Sequence, residues 1–482
     1  MIHHSPLLTD LYQLTMAAGY WAANRDQHAA FHLFFRTLPF HGGYAIVAGL
    51  GTAMEWMADF RFAADDLAFL ATLEDAEGEP LFPSDFLDYL SELRLTVDLD
   101  AIQEGTVVFP HQPLLRVAGP IIQCQLLETA LLNIVNFQTL IATKSARICE
   151  AAKGEPVIEF GLRRAQGPDG ALAASRAAYI GGCAATSNVL AGKILGIPVR
   201  GTHAHSWVMS FDTELEAFAR YAETLPGNCT FLVDTYDTLE GVRNACRIGA
   251  TLRATGHRLL GIRLDSGDLA WLSQQARIIL DEAGFPDAAI VASNDLDEYL
   301  IESLKHQDAK ITVWGVGTKL VTGGDQAALG GVYKLAAVKD ESGNWVPRIK
   351  LSEQSIKVST PGLQQVRRFY QHGRFLADAI YAPEHGCPAA CTIVNVADSL
   401  QRKAIPLGTV SEDLLIPILR DGQPVGERTD LETIRNRVLS QRAALDPTIK
   451  RLSHPHAYPA GLELSLHERK LAMIQQASRP AP

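Results

Sequence analysis

The chain has 482 residues, 47% of them apolar, and 54 acidic against 43 basic side chains leave a net charge of −11. Such a length supports two or three domains with large buried cores, and the acidic balance argues against a nucleic-acid or anionic-membrane surface, so any anionic ligand must be held by local groups. Seven scattered cysteines, no apolar run of about 18 residues, and a start, MIHHSPLLTDLYQ, without a charged n-region or apolar h-region together set the expectation of a cytoplasmic protein without a disulfide framework.

The first element, LLTDLYQLTMAAGYW, reads as a helix, with Tyr12 by default one of its core aromatics. FHLFFRTL from Phe31 and EGTVVFPHQPLLRVAGP from Glu104 are β-rich runs punctuated by proline and glycine. Similar runs return after Trp345, so the two flanks are expected to share one domain. Between them a helical stretch covers Gln123 to Ala152. From about residue 150 to about residue 340 one theme repeats: a short apolar run, a polar or glycine-rich tip, then a helix. The runs are VIEFG from Val157, IPVRGT from Ile197, TFLVDT from Thr230, LLGIRLDSGD from Leu259, AAIVASND from Ala288 and ITVWGVGT from Ile311, with VYKLAAV from Val332 as a candidate seventh. Continuous apolarity fits strands buried on both faces. The segments between them, such as TELEAFARYAETL from Thr213 and DLAWLSQQARIILDEAG from Asp268, carry helical spacing, and Gly284 stops the second. This alternation predicts a (β/α) barrel, incomplete at six or seven units, with the doubly wound sheet as the alternative.

In a parallel barrel the loops after the strands build the site. The tips here supply Arg163 and Arg164; Thr202, His203 and His205; Asp234, Tyr236 and Asp237; Arg263, Asp265 and Asp268; Ser293, Asn294 and Asp295; then Gly315, Gly317 and Thr318. That mixture suits a phosphorylated substrate carrying a metal ion. Arg263 and Asp265 fall on the same side of the pleat and can reach one ligand, or simply pair with each other. Asp268 reads as a helix N-cap. Arg163 and Arg164, adjacent at a strand end, are expected to point to different faces. Either His203 or His205 could offer a neutral imidazole nitrogen as nucleophile or base, and spacing does not choose between them. The loop WGVGTKLVTGGDQAALGG from Trp314 suits either phosphate contact or plain turns, and Lys319 in it lacks P-loop context. HGCPAAC raises a zinc site at His385, Cys387 and Cys391, but no fourth ligand is evident and buried thiols fit as well.

Taken together, LLTDLYQLTMAAGYW, FFRTLPFHGGYAIVAGL, EFGLRRAQG, GTHAHSW, LVDTYDT, IRLDSGDL and GVGTKLVTGGDQAALGGVYKLA resemble, in that order, the nicotinate phosphoribosyltransferases, from residue 7 past Pro361. The resemblance implies a type II phosphoribosyltransferase: an α/β protein with an incomplete (β/α) barrel at 129–340. An α/β sandwich domain would be built from 1–128 and 341–482. It implies a homodimer with shared active sites, using nicotinate, phosphoribosyl pyrophosphate (PRPP) and ATP, with Mg2+ accompanying both phosphate substrates and no protein metal site. The product would be nicotinate mononucleotide for NAD salvage. By the same resemblance His205 is the phosphorylated, catalytic histidine. Asp265, also catalytic, and Arg263 contact the phosphoribosyl substrate, and Tyr12, Thr202 and Ser206 bind substrate, Tyr12 by stacking on the pyridine ring. Arg163 and Arg164 stand at the mouth, while Gly317 with Thr318, or alternatively Thr322, takes the phosphate. The alternatives are a nicotinamide or other type II phosphoribosyltransferase, an aldolase-like barrel using Lys319, and a non-catalytic sensor.

Overall fold

A computed structural model describes residues 5–354 and 357–478; Met1–His4, the beginning of the segment read for a leader, lie outside them. The chain divides into two compact units, one of Ile141–Ala327 and one of the residues up to Leu140 together with those from Ala328 on.

The inner unit holds a parallel sheet of six strands: β1 (Val157–Glu159), β2 (Ala185–Thr186), β3 (Thr230–Leu232), β4 (Gly261–Leu264), β5 (Ala289–Ala292) and β6 (Val313–Val316). Their spatial order is β2-β1-β6-β5-β4-β3. Each strand from β3 to β6 therefore lies beside the next, and β6 returns to β1. Between β2 and β3 the sheet stays open, which makes the barrel incomplete. The apolar runs form strands because both their faces are covered: Ile262, Leu264, Ile290, Ala292, Trp314 and Val316 are wholly buried. Helices Glu214–Thr224, Thr238–Ala254 and Leu269–Glu282 start on side-chain caps from Thr213, Asp237 and Asp268, whose oxygens accept the N–H groups of Glu216, Glu240 and Trp271. Gly284 ends the last of these at φ +80°.

Two expected strands behave differently. Ile197–Arg200 is reduced to a single parallel bridge, Thr186 to Val199, because it lies at the open side with a partner on one flank only. The candidate seventh strand belongs elsewhere: Gly331–Lys339 pairs antiparallel with His28–Phe35 in the outer unit.

That outer unit is an α/β sandwich whose largest sheet interleaves the two chain segments. Its seven-stranded sheet contains His28–Phe35, Asp98–Ile102 and Leu115–Pro120 from the first segment and Gly331–Lys339, Trp345–Pro347, Leu415–Arg420 and Gln423–Pro424 from the second. A second sheet of six strands comes wholly from the later segment and includes Gln365–Gln371 and Arg374–Tyr381. At its centre Asp378, fully buried, accepts Arg368 Nε at 2.9 Å and Nη2 at 2.6 Å, Gln112 Nε2 at 2.7 Å and Tyr458 Oη at 2.8 Å. Among the described residues no helix is long and apolar enough to cross a membrane.

Candidate active site

The strand tips of the inner unit surround a cavity of about 360 Å3. Phe160, Arg163 and Arg164 enter it after β1, Ser187 after β2, Gly201–Ala204 after the Val199 bridge, Asp265 after β4, Ser293–Asp295 after β5, and Gly317 with Thr318 after β6. Gly315, within β6, also lines it, and a Cβ there would stand 2.6 Å from the Phe160 ring, so this close approach requires glycine.

Arg263 is the hub. Its Nε donates to Ser293 Oγ at 2.7 Å, Nη1 to Thr202 Oγ1 at 3.2 Å and Nη2 to Asp265 Oδ1 at 2.9 Å, with the guanidinium carbon 5.6 Å from the centre of the Phe160 ring. Ser293 also donates to Asp265 Oδ1 through a short hydrogen bond. From below, Asp234 Oδ2 accepts the Asp265 N–H at 2.9 Å and the Ser266 hydroxyl at 2.6 Å. Arg263 and Asp265 thus pair with each other, and both face the cavity. Asn294, at φ +116°, turns the next tip in a conformation rare for a residue with a side chain.

The histidines separate clearly. His203 is 8% exposed, and its Nε2 accepts the Leu232 N–H at 3.2 Å. Burial, with Arg263 and His205 adding to it, lowers its pKa to about 4 and keeps it neutral. His205 opens the helix His205–Met209 with its side chain 40% exposed. Its Nδ1 lies 3.1 Å from Thr235 Oγ1, and its Nε2 lies 3.9 Å from Asp265 Oδ2. A nitrogen with one side fixed and the other accessible is the arrangement a nucleophilic imidazole needs. Ser206, the next residue, is exposed, and neither it nor His205 belongs to the cavity lining, which ends at Ala204 on this loop and includes His203.

Arg163 and Arg164 depart from the expectation of different faces. They sit in a 3-10 turn, Leu162–Arg164, where strand alternation does not apply, and both line the cavity. Neither is paired among the described residues. The turn is anchored by Glu159, which sequence reading missed. This carboxylate is 1% exposed and accepts the Gly161 N–H through a short bond, the Ser175 hydroxyl at 2.8 Å and the Thr186 hydroxyl at 2.6 Å. A glutamate inside an apolar run was the available signal. Of the two threonines considered for phosphate, Thr318 lines the cavity, whereas Thr322 donates its hydroxyl to Thr318 O at 2.7 Å. Lys319 is outside the lining, 3.8 Å from Asp325.

Two readings concern the outer unit. Tyr12 is not a core aromatic: its helix, Leu11–Ala22, buries Gln13, Leu14 and Ala17, and Tyr12 is 48% exposed. Cys387 and Cys391 pack in and against a small apolar cluster with Phe369 and Ile393. Among the described residues no three His, Cys, Asp or Glu side chains are grouped to hold a metal. Sequence reading also missed that Arg36, Lys334 and Lys470, scattered along the chain, act on one another or on the neutral His111 there, with the Glu128 carboxylate beside Lys334. Burial, Lys470 and Arg36 push His111 down to about 4, burial takes Lys470 to about 8, and Lys334 is lowered by burial and by Arg36 and Lys350. Arg36 Nε is buried without a hydrogen-bond partner among the described residues.

Comparison with known proteins agrees with this geometry. The sequence matches family models for the nicotinate phosphoribosyltransferase N-terminal domain over residues 7–136, the nicotinate phosphoribosyltransferase family over 156–372 and the C-terminal domain over 363–470. It is 44% identical over 478 residues to the nicotinate phosphoribosyltransferase of Bacillus subtilis, covering 98% of this chain and 95% of that one. To the human nicotinate phosphoribosyltransferase it is 35% identical over 528 residues, 97% and 96% of the two chains. The crystal structure of human nicotinic acid phosphoribosyltransferase superposes with a TM-score of 0.83 at 32% identity, over 96% of this chain and 99% of that one. In fold alone, a nicotinate-nucleotide pyrophosphorylase from Pyrococcus furiosus is also similar, with a TM-score of 0.69 at 22% identity over 90% and 94% of the chains. The open parallel barrel, the sandwich made from both ends of the chain, and full-length likeness in sequence converge: this chain belongs to the nicotinate phosphoribosyltransferase family.

Proposed function

We propose that the chain joins nicotinate to the ribose 5-phosphate of PRPP, giving nicotinate mononucleotide and diphosphate for NAD salvage. ATP drives the reaction through a phosphohistidine at His205, and hydrolysis of that phosphohistidine releases phosphate beside ADP. The observation that carries the reading is the pairing of an anion-holding hub, Arg263 with Asp265, with a histidine whose Nε2 stands 3.9 Å from that carboxylate.

The chemistry needs few protein groups. Departure of diphosphate leaves an oxocarbenium-like ribosyl centre, and the pyridine nitrogen captures it with its own lone pair. No general base is needed, so energy coupling explains His205 better than proton transfer. Arg263 holds the phosphoribosyl group, Gly317 and Thr318 its phosphate, Thr202 and Ser206 the substrate beside His205. Arg163 and Arg164, unpaired at the mouth, favour a carboxylate over an amide on the ring, and on that ground nicotinate is preferred to nicotinamide. Mg2+, where bound, supplies charge neutralisation to the diphosphate. Asp265 is the carboxylate assigned to face it, and phosphate oxygens would complete a hard oxygen shell. In a homodimer, Tyr12, exposed on its helix, stacks on the ring in the partner protomer's site.

The test incubates the protein with Mg2+, PRPP and either nicotinate or nicotinamide, with and without ATP, beside His205→Ala. Nicotinate mononucleotide formation stimulated by ATP, with the stimulation lost in the variant, supports the reading. Product from nicotinamide alone, or ATP stimulation that survives His205→Ala, refutes it.

A further inference from the structure

The parallel sheet is open between the Ile197–Arg200 segment and β3. Leu232, on β3, is 1% exposed, and its N–H faces that opening, because the next N–H, of Val233, is directed to Arg263 O on β4 at 3.2 Å. A buried N–H on a strand edge has no ladder partner and must find another acceptor. His203 Nε2 is that acceptor, at 3.2 Å. The imidazole is held by aromatic neighbours: Tyr221 meets it edge-on with centroids 5.1 Å apart, and Phe218 and Phe231 lie 5.9 and 6.2 Å away. Its Nδ1 lies 3.4 Å from Ala204 O. Both ring nitrogens are thus engaged, which removes His203 as a nucleophile. A single residue, Ala204, then separates this fixed ring from His205, whose helix begins at once. The position of the His203 ring therefore limits where His205 can stand.

We propose that His203 is a positioning residue: by accepting the Leu232 N–H it fastens the loop across the open side of the barrel and holds His205 with Nε2 toward Asp265. Its effect on turnover rests on the reading of His205 as the phosphate acceptor. Glutamine at 203 keeps an acceptor oxygen on a side chain of similar reach. Phenylalanine fills the aromatic setting but accepts nothing.

The experiment uses the full chain as wild type, His203→Phe and His203→Gln, with His203→Met in place of the phenylalanine variant should that one not fold. Three quantities are read: hydrogen exchange at the Leu232 amide, the initial rate at which label from γ-labelled ATP enters protein as acid-labile phosphate, and the KM for ATP in that step. In His203→Phe, Leu232 exchange accelerates and labelling slows about 10- to 100-fold, the range expected for a misplaced reacting group, while the KM for ATP changes by less than about twofold. His203→Gln restores both protection and labelling. Labelling at the wild-type rate in His203→Phe overturns the proposal, and so does a glutamine variant as slow as the phenylalanine one. If wild type takes no label, the phosphohistidine reading fails by itself. The positioning claim is then decided by the 15N imidazole signals of His205, which His203→Phe displaces and His203→Gln leaves in place if the claim holds.

Discussion

Arg263→Lys keeps the positive charge of the hub and removes its shape. The guanidinium reaches three acceptors at once, Ser293 Oγ, Thr202 Oγ1 and Asp265 Oδ1, at 2.7, 3.2 and 2.9 Å. It does so from a side chain only 15% exposed. A lysine ammonium on a flexible stem can keep one of these contacts in the same place. Two lost hydrogen bonds to a charged donor, at about 1.5 kcal/mol each, come to about 3 kcal/mol. If the constellation must be intact when the ribosyl bond breaks, that loss lowers kcat/KM for PRPP about 100-fold. The assay is steady-state formation of nicotinate mononucleotide with PRPP varied and nicotinate saturating. A decrease confined to about fivefold would mean that charge alone suffices and that the fork geometry over three acceptors plays no part in catalysis.

Acid should weaken the fold through its buried histidines. His32 accepts the Gln364 N–H at 3.3 Å and is 1% exposed; burial, helped by Arg116, takes it down to about 3, as burial takes His203 to about 4. Both are neutral when folded and gain a proton when unfolded, so stability is unaffected above the ordinary histidine value near 6.5. It then falls as pH drops toward 4, by on the order of 3 kcal/mol per group. Urea unfolding at pH 7.5, 5.5 and 4.5 measures this, and a flat profile contradicts it. Asp378→Asn leaves the Arg368 guanidinium buried without its counter-charge, at a cost of about 3–5 kcal/mol. A change below about 1 kcal/mol in the same unfolding measurement would show that Gln441 Oε1 and Val107 O, which accept its Nη1 and Nη2 at 2.9 and 2.7 Å, hold that arginine without the carboxylate.

The sequence carried most of the barrel because strands covered on both faces leave continuous apolar runs. Where that signature failed, the cause was context beyond the run. Gly331–Lys339 has the composition of a barrel strand, but its partners, His28–Phe35 and Trp345–Pro347, are remote or later in the chain, and no local pattern names them. β2, at two residues, is too short to form a run. The site was legible as a set of tips and, through the family motifs, as an order of motifs. What could not be read was orientation. A 3-10 turn brings Arg163 and Arg164 to one cavity, a single hydrogen bond to Leu232 distinguishes His203 from His205, and the buried face of the first helix leaves Tyr12 outside.

The anchoring of the arginine turn by Glu159 bears on how fast a ligand is captured. The carboxylate ties the tip of β1 to helix Gly167–Gly181 through Ser175 and to β2 through Thr186, so the backbone under Arg163 and Arg164 is set before any ligand arrives. The two guanidinium groups themselves are exposed. Capture of an anion at this mouth then requires rotation of side chains on a fixed base, a movement of picoseconds to nanoseconds, rather than the slower rearrangement of a loop. Rearrangement of this turn therefore adds no step to the capture of an anion there.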